Sequence, residues 1–188
     1  MASSRLEEHI QRVQRLRELR KSDPAGTRLL AAEAATQAAE LRSNDPRRGD
    51  ALALLAWLRL EAGDYAGAAA VTTEVLRIRE RSEPDEFLAL ALGAHALALF
   101  GADRSAEADG MLRRELEVWE RIFGRQDPRL AAKLEAQAEY VQSGWGRPYW
   151  AIELLQRAIR IREVNPEGAR GGLAMDYQRL AQHQNRPQ

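Results

Sequence analysis

The 188-residue chain contains no cysteine. That removes a disulfide framework, a thiolate zinc site and a cysteine nucleophile together. It also lacks an excess of either charge, 28 Lys and Arg standing against 28 Asp and Glu. A neutral chain is not built mainly to neutralise nucleic acid or to lie on an acidic membrane. Aromatic residues make up only 6% and β-branched residues are sparse, while Ala, Leu, Arg and Glu abound, a balance that favours helix over sheet. Long hydrophobic runs are missing too. The longest, from Phe87 to Phe100, is interrupted by His95 and falls short of the roughly 20 residues that span a bilayer. The start, MASSRLEEHIQRVQRLREL, has no apolar stretch of the secretory kind. A cytoplasmic protein with no membrane or nucleic-acid partner is the expectation. His9, His95 and His183 have no metal-ligand spacing. Gly-rich phosphate loops, Ser-centred elbows and recognisable catalytic carboxylate pairs are equally missing. No enzyme activity, cofactor or metal is therefore expected.

What is present is helix, with a recurring punctuation mark. Asp23-Pro24, Asp45-Pro46, Glu83-Pro84, Asp127-Pro128 and Asn165-Pro166 each pair a capping-type residue with a proline. Proline suits the first turn of a helix, where its missing N–H would be unpaired anyway, and the residue before it can cap that end. The last four dipeptides are spaced by 38, 44 and 38 residues, and a period near forty marks a helical repeat array.

Each interval holds two helical segments. Asp50 to Ala62 is almost wholly apolar and breaks at Gly63-Asp64; Tyr65 to Arg81 follows with Ala68, Thr72, Val75 and Leu76 on one face. Asp85 to Phe100 breaks at Gly101-Ala102-Asp103, and Ser105 to Phe123 then aligns Ala108, Leu112, Leu116, Trp119 and Phe123. Arg129 to Gln142 breaks at Ser143 to Gly146, and Pro148 to Val164 aligns Ala151, Leu155 and Ala158. The second helices superpose without gaps: LRIRE at Leu76, LEVWE at Leu116 and IRIRE at Ile159. Ala68, Ala108 and Ala151 each lie eight residues before those points, and a small side chain there lets two helix axes approach closely. The turns of the second and third units read as two residues longer than that of the first. Upstream, Ser4 to Lys21 and Thr27 to Arg42 read as amphipathic helices forming a degenerate repeat or cap. The organisation expected is an N-terminal helical pair over 1–49, three repeats over 50–166 and a partial repeat over 167–188.

Leu55-Ala56-x-Leu58 followed by Gly63-x-Tyr65-x-x-Ala68 resembles the tetratricopeptide repeat. The connector Phe123-Gly124-Arg125-Gln126-Asp127-Pro128-Arg129-Leu130-Ala131 and the LRIRE and AIRIRE segments are similar to the longer repeats of kinesin light chains. The resemblance covers roughly residues 50 to 182. Arg59 departs from it, standing where the family usually has an aromatic or large apolar residue, as does Pro148 at the Tyr65 equivalent. It implies an all-α, right-handed α-solenoid whose first helices line a concave groove, and binding of a protein or peptide partner without chemistry. By the family's register, the groove-facing positions would be Asp50, Ala53, Trp57, Leu60 and Glu61 in the first unit. In the second they would be Leu88, Ala91, His95 and Ala98. In the third they would be Ala131, Leu134, Ala138, Val141 and Gln142, with Met175, Gln178 and Gln182 in the partial fourth.

Most of these positions are apolar, and FLALALGAHALALF is apolar around its whole circumference except at His95. A helix apolar on all sides must be covered on all sides. Neighbouring helices cover part of it. The candidates for the rest are the N-terminal helices folding back, a second copy of the chain, or an apolar peptide from a partner, the groove being expected to hold an amphipathic helix, its own or a partner's. The functional expectation is an adaptor or assembly factor; the alternatives are a peptide-responsive signalling regulator or a self-associating scaffold, with the N-terminal helix or the groove as the dimer seam. Arg157, Arg160 and Arg162 are spaced to form a small basic strip. The aromatics of Trp145, Tyr149 and Trp150 either pack the third turn or clamp a peptide. Trp57→Ala is expected to weaken partner binding without unfolding the array; an unchanged dissociation constant would refute that.

Overall fold

Acidic caps decide where the helices begin. The computed structural model describes residues 23–43, 45–143 and 148–165, with positions 172, 175 and 177–181. Seven helices lie among them: α1 (Pro24–Glu40), α2 (Pro46–Glu61), α3 (Tyr65–Arg79), α4 (Glu86–Gly101), α5 (Ser105–Phe123), α6 (Pro128–Ser143) and α7 (Pro148–Glu163). Positions 177–181 are also helical, and no strand occurs among the described residues. No helix there is long and apolar enough to cross a membrane. The expected helix at 4–21 and the turn containing Trp145 lie outside the described residues.

Asp23 accepts the Gly26 N–H at 2.8 Å, Asp64 the Gly67 N–H at 2.9 Å, and Asp85 the Leu88 N–H at 2.9 Å. Each satisfies one donor that the first helical turn leaves unpaired. At α2 and α6 the same three residues, Asp-Pro-Arg, build a fuller clasp. Asp45 takes the Arg47 N–H at 2.9 Å and the guanidinium at 2.7 Å; Asp127 takes the Arg129 N–H and guanidinium, both at 2.8 Å. The Arg129 guanidinium, and then its N–H, hold the Asp127 carboxyl down at about 2. Two of the proline dipeptides act otherwise. Helix α4 is capped by Asp85, two residues beyond Glu83. Asn165 closes the end of α7, its amide donating to the Ile161 carbonyl at 2.8 Å and to the Gln126 carbonyl at 2.9 Å.

The chain divides into two compact units, Met1–Glu115 and Leu116–Gln188, the division falling within α5. In the first, α1 packs on α2, α2 on α3 and α3 on α4, and the first helices α2 and α4 also touch. Ala34, Ala38, Leu55, Ala68, Thr72, Val75, Leu92 and Ala96 are among its buried residues. Arginines tie the helices together. Arg48 of α2 donates to the Ala38 and Leu41 carbonyls at the end of α1 and lies 3.7 Å from Glu74 of α3. Arg77 of α3 pairs with Glu74 at 2.6 Å and donates to the Ser43 carbonyl at 3.0 Å. Arg59, the departure from the repeat pattern, spans the α2–α3 turn by donating to the Gly67 carbonyl at 3.1 Å. A Cβ at Gly67 would meet the Asp64 carboxylate at 2.1 Å and the Arg59 guanidinium at 2.7 Å, side-chain ends that would have to swing aside.

In the second unit α6 packs on α7. Leu130, Leu134, Val141, Leu155 and Ala158 are buried with Trp119. Trp119 stacks on Phe123 with ring centroids 5.2 Å apart. Lys133 and Arg129, both on α6, stand 4.1 Å and 4.4 Å above those two rings, so the cations meet the negative ring faces. The Glu153–Arg157 spacing suggests a pair along α7, but the structure carries Arg157 to Glu120 of α5 at 2.6 Å. Arg162 goes to Glu135 of α6. With those two neutralised and Arg160 alone exposed, the basic strip does not form.

The turns inside the repeats correct one expectation. Both α2–α3 and α4–α5 are joined by three residues, Ala62–Asp64 and Ala102–Arg104, so the second turn is no longer than the first. Each is closed the same way. Asp64 N–H bonds the Arg59 carbonyl and Arg104 N–H the Leu99 carbonyl, both at 2.9 Å; Gly63 N–H bonds Leu60 and Asp103 N–H bonds Phe100, both at 3.0 Å. This reversal needs one left-handed residue, and Gly63 (φ 77°) and Asp103 (φ 60°) supply it. A side chain at such a φ is strained, least so for Asp and Asn. Gly63→Ala is expected to lower stability by about 1 kcal/mol, whereas Asp103→Gly should act in the opposite sense by a smaller amount. Urea midpoints at unchanged slope check both.

Candidate binding groove

The register set by those turns decides which side of each first helix is left open. Helix α2 is buried at Ala51, Leu52, Leu54, Leu55, Ala56 and Leu58. Its part-exposed positions include Asp50, Ala53, Trp57, Leu60 and Glu61, all of which share one face at steps of three and four residues. Asp50 is engaged within its own repeat, as the partner of Arg79 of α3, whose guanidinium also stands 4.9 Å over Phe87. Trp57 and Glu61 likewise have partners in the chain.

Helices α2, α4 and α6 each have 16 residues, and α4 starts forty residues after α2. A spacing of 38, which the supposed longer turn requires, places the wrong face of α4 outward. Leu88, Ala91 and Ala98 belong to the core instead, with Leu88 only 5% exposed. Carried forty residues on, the stripe of α2 falls on Leu90, Gly93 and Leu97, which with Ala94 are part-exposed positions of α4. Gly93 has a spatial role, because a Cβ there would stand 3.0 Å from the Glu115 carboxylate. Helix α6 repeats the correction: Ala131, Leu134, Ala138 and Val141 are buried, and its exposed positions are Ala132, Ala136, Glu139 and Tyr140. Glu135 and Glu139 receive Arg179 at 3.6 Å and 2.8 Å. The Gln142 side chain and Gln182 lie outside the described residues.

His95 is also displaced from the expected groove. At about 100° per residue it sits about 140° around α4 from Leu90, on the side of the second helices. Its Nδ1 is 2.7 Å from the Thr72 hydroxyl of α3. The charged groups acting on it, Arg104, Glu107 and Arg114, all belong to α5 or the turn before it. Among the described residues no cluster of three or more His, Asp or Glu could hold a metal ion. The face shared by α2 and α4 carries an apolar stretch from Ala53, Trp57 and Leu60 to Leu90, Ala94 and Leu97, with Asp50 and Glu61 beside it on α2. The missed positions were marked in the sequence by the equal spacing of Gly63-Asp64-Tyr65 and Asp103-Arg104-Ser105.

Burial, then Arg104 and Arg114, push the His95 pKa below its ordinary 6.5, against the opposing pull of Glu107. A histidine with a depressed folded-state pKa is protonated first in the unfolded chain. Its contribution is therefore fully present above pH 6.5 and is lost as pH falls below that value. His95→Gln is expected to flatten the fall in thermal midpoint between about pH 7.5 and about pH 5. A variant with the wild-type slope would show that other groups carry it.

No family model matches the chain, and no curated protein matches it in sequence. Among solved structures it is similar to BtubC (BKLC) from P. vanneervenii, a kinesin-light-chain-like protein of tetratricopeptide type. The match has 22% identity, covers 97% of this chain and 83% of that one, and gives a TM-score of 0.65. That likeness shows the fold: an all-α solenoid of tetratricopeptide-like helix pairs.

Proposed function

We propose that the chain is a non-enzymatic interaction module that takes the apolar face of an amphipathic helix from a protein partner along α2 and α4. The observation that carries this is the shared first-helix face, with Ala53, Trp57 and Leu60 on one helix and Leu90, Gly93, Ala94 and Leu97 on the next. Ala94 leaves room for a third helix to approach closely, while Trp57, Leu90 and Leu97 supply apolar area for it to cover. The repeat fold supports the same use, since helix pairs locked by caps and arginine ties bring little new ordering cost to a binding event.

Panning a displayed library of amphipathic helical peptides against the protein tests this. Selected peptides are expected to bind Ala94→Arg at least about tenfold more weakly, because the long charged side chain occupies the partner's place. The variant's thermal midpoint should stay near wild type, as Ala94 is not a core residue. Binders indifferent to Ala94→Arg and to Ala53→Arg would place recognition elsewhere and refute the reading.

A further inference from the structure

The open face of α2 has one end at which the chain itself arrives. Arg48, in the first turn of α2, donates to the Ala38 and Leu41 carbonyls at the end of α1. The two helices pack on each other and have 17 and 16 residues. They therefore run antiparallel, and the start of α1 stands beside the end of α2. Asp23, the cap of α1, is brought to the end of α2 at which Leu60 and Glu61 close the apolar strip. A single residue, Ser22, separates that cap from the sequence 4–21.

That sequence is the complement of the strip. Placed on a helix at about 100° per residue, Leu6, Ile10, Val13 and Leu16 share about 120° of its circumference. Arg17 and Arg20 fall in the same arc towards its C-terminal end, whereas Glu7, Glu8 and Glu18 fall on the far side. As a helix it would be about 27 Å long, against about 24 Å for α2. Leading into Asp23, it would lie antiparallel to α1 and parallel to α2. Arg17 and Arg20 would then come level with Glu61, opposite charges at the same end. Trp57 and Glu61 already have partners within the chain, which agrees with an occupant drawn from the same chain. A one-residue tether also presents that occupant at an effective concentration in about the millimolar range, ahead of any second copy.

We propose that residues 4–21 of the same chain occupy the α2 side of the first-helix face, laying Leu6, Ile10, Val13 and Leu16 along Ala53, Trp57 and Leu60, and that a partner helix binds by displacing them. This rests on the reading of that face as a binding groove and adds its regulation. The apparent affinity for a partner is lowered in proportion to the fraction of molecules whose face is open.

The absence of cysteine allows a direct test on the full chain. Leu16→Cys with Leu60→Cys, and Ile10→Cys with Ala53→Cys, should each form a disulfide within one chain under mild oxidation, seen as a faster-migrating monomer on a non-reducing gel. Oxidation of these variants should weaken the amphipathic peptides selected on wild type by about tenfold, and reduction should restore them. Leu6→Asp with Val13→Asp removes the apolar strip of the segment without touching α2. It should strengthen the same peptides by about tenfold, with their dependence on Ala94 unchanged. Disulfide-linked dimers in place of the internal bond would assign the face to a second copy and overturn the proposal. No disulfide from either pair, or peptides indifferent to Leu6→Asp with Val13→Asp, would overturn it as well, and each of these results leaves the groove itself standing. Internal disulfides in a chain for which no Ala94-dependent peptide can be selected are the separate failure of the groove reading, and remove the regulation with it.

Discussion

Between a first helix and its second, in the first unit, the chain reverses through one left-handed residue and three connecting positions. The reversal satisfies carbonyls that a helix end leaves unpaired, so its length is set by hydrogen bonding rather than by side-chain bulk. Everything after it inherits its phase. One residue more or less turns the next helix by about 100° and exchanges its buried and open faces. Gly63 and Asp103 hold equivalent places, and the fully buried alanines Ala68 and Ala108 follow each at the same distance. The α2 and α4 faces correspond because these two turns correspond.

Charge supplies the second layer of order. Arginine is the base of this chain, and its reach is used between elements more than along them. Arg48, Arg77 and Arg79 join α1, α2 and α3; Arg157 and Arg162 join α7 to α5 and α6. A planar fork with several donors can satisfy a carboxylate and a carbonyl at once in a fixed geometry, which a lysine does not offer. Exposed ion pairs contribute little individually. Their effect here is positional: they set how one helix meets the next while the small buried residues let them close.

Two surfaces of different character then emerge from the same helix. The open side of α4 is leucine, alanine and glycine, suited to close apolar contact. The side turned to α3 and α5 carries the single histidine of the described residues, fixed by a threonine and flanked by ion pairs.

Periodicity, capping residues and the recurring alanines were legible in the chain, and they carry local information. They place α1 to α7, select the buried faces of the second helices at Ala68, Ala108 and Ala151, and suffice for the repeat architecture that the likeness to BtubC shows. The stripe on α2 was legible too, since its mixture of apolar and charged residues marks one side. On α4 that contrast is absent. The helix is apolar nearly all round, so Leu88 and Ala91 look no different in sequence from Leu90 and Ala94, and His95 alone does not say which side it faces. The sequence by itself determined that this segment is a helix covered on most sides. Which of its faces is core, and that His95 meets Thr72 rather than the groove, was decided by tertiary structure, because the phase of a uniformly apolar helix is set by the turn and by the neighbours that close on it.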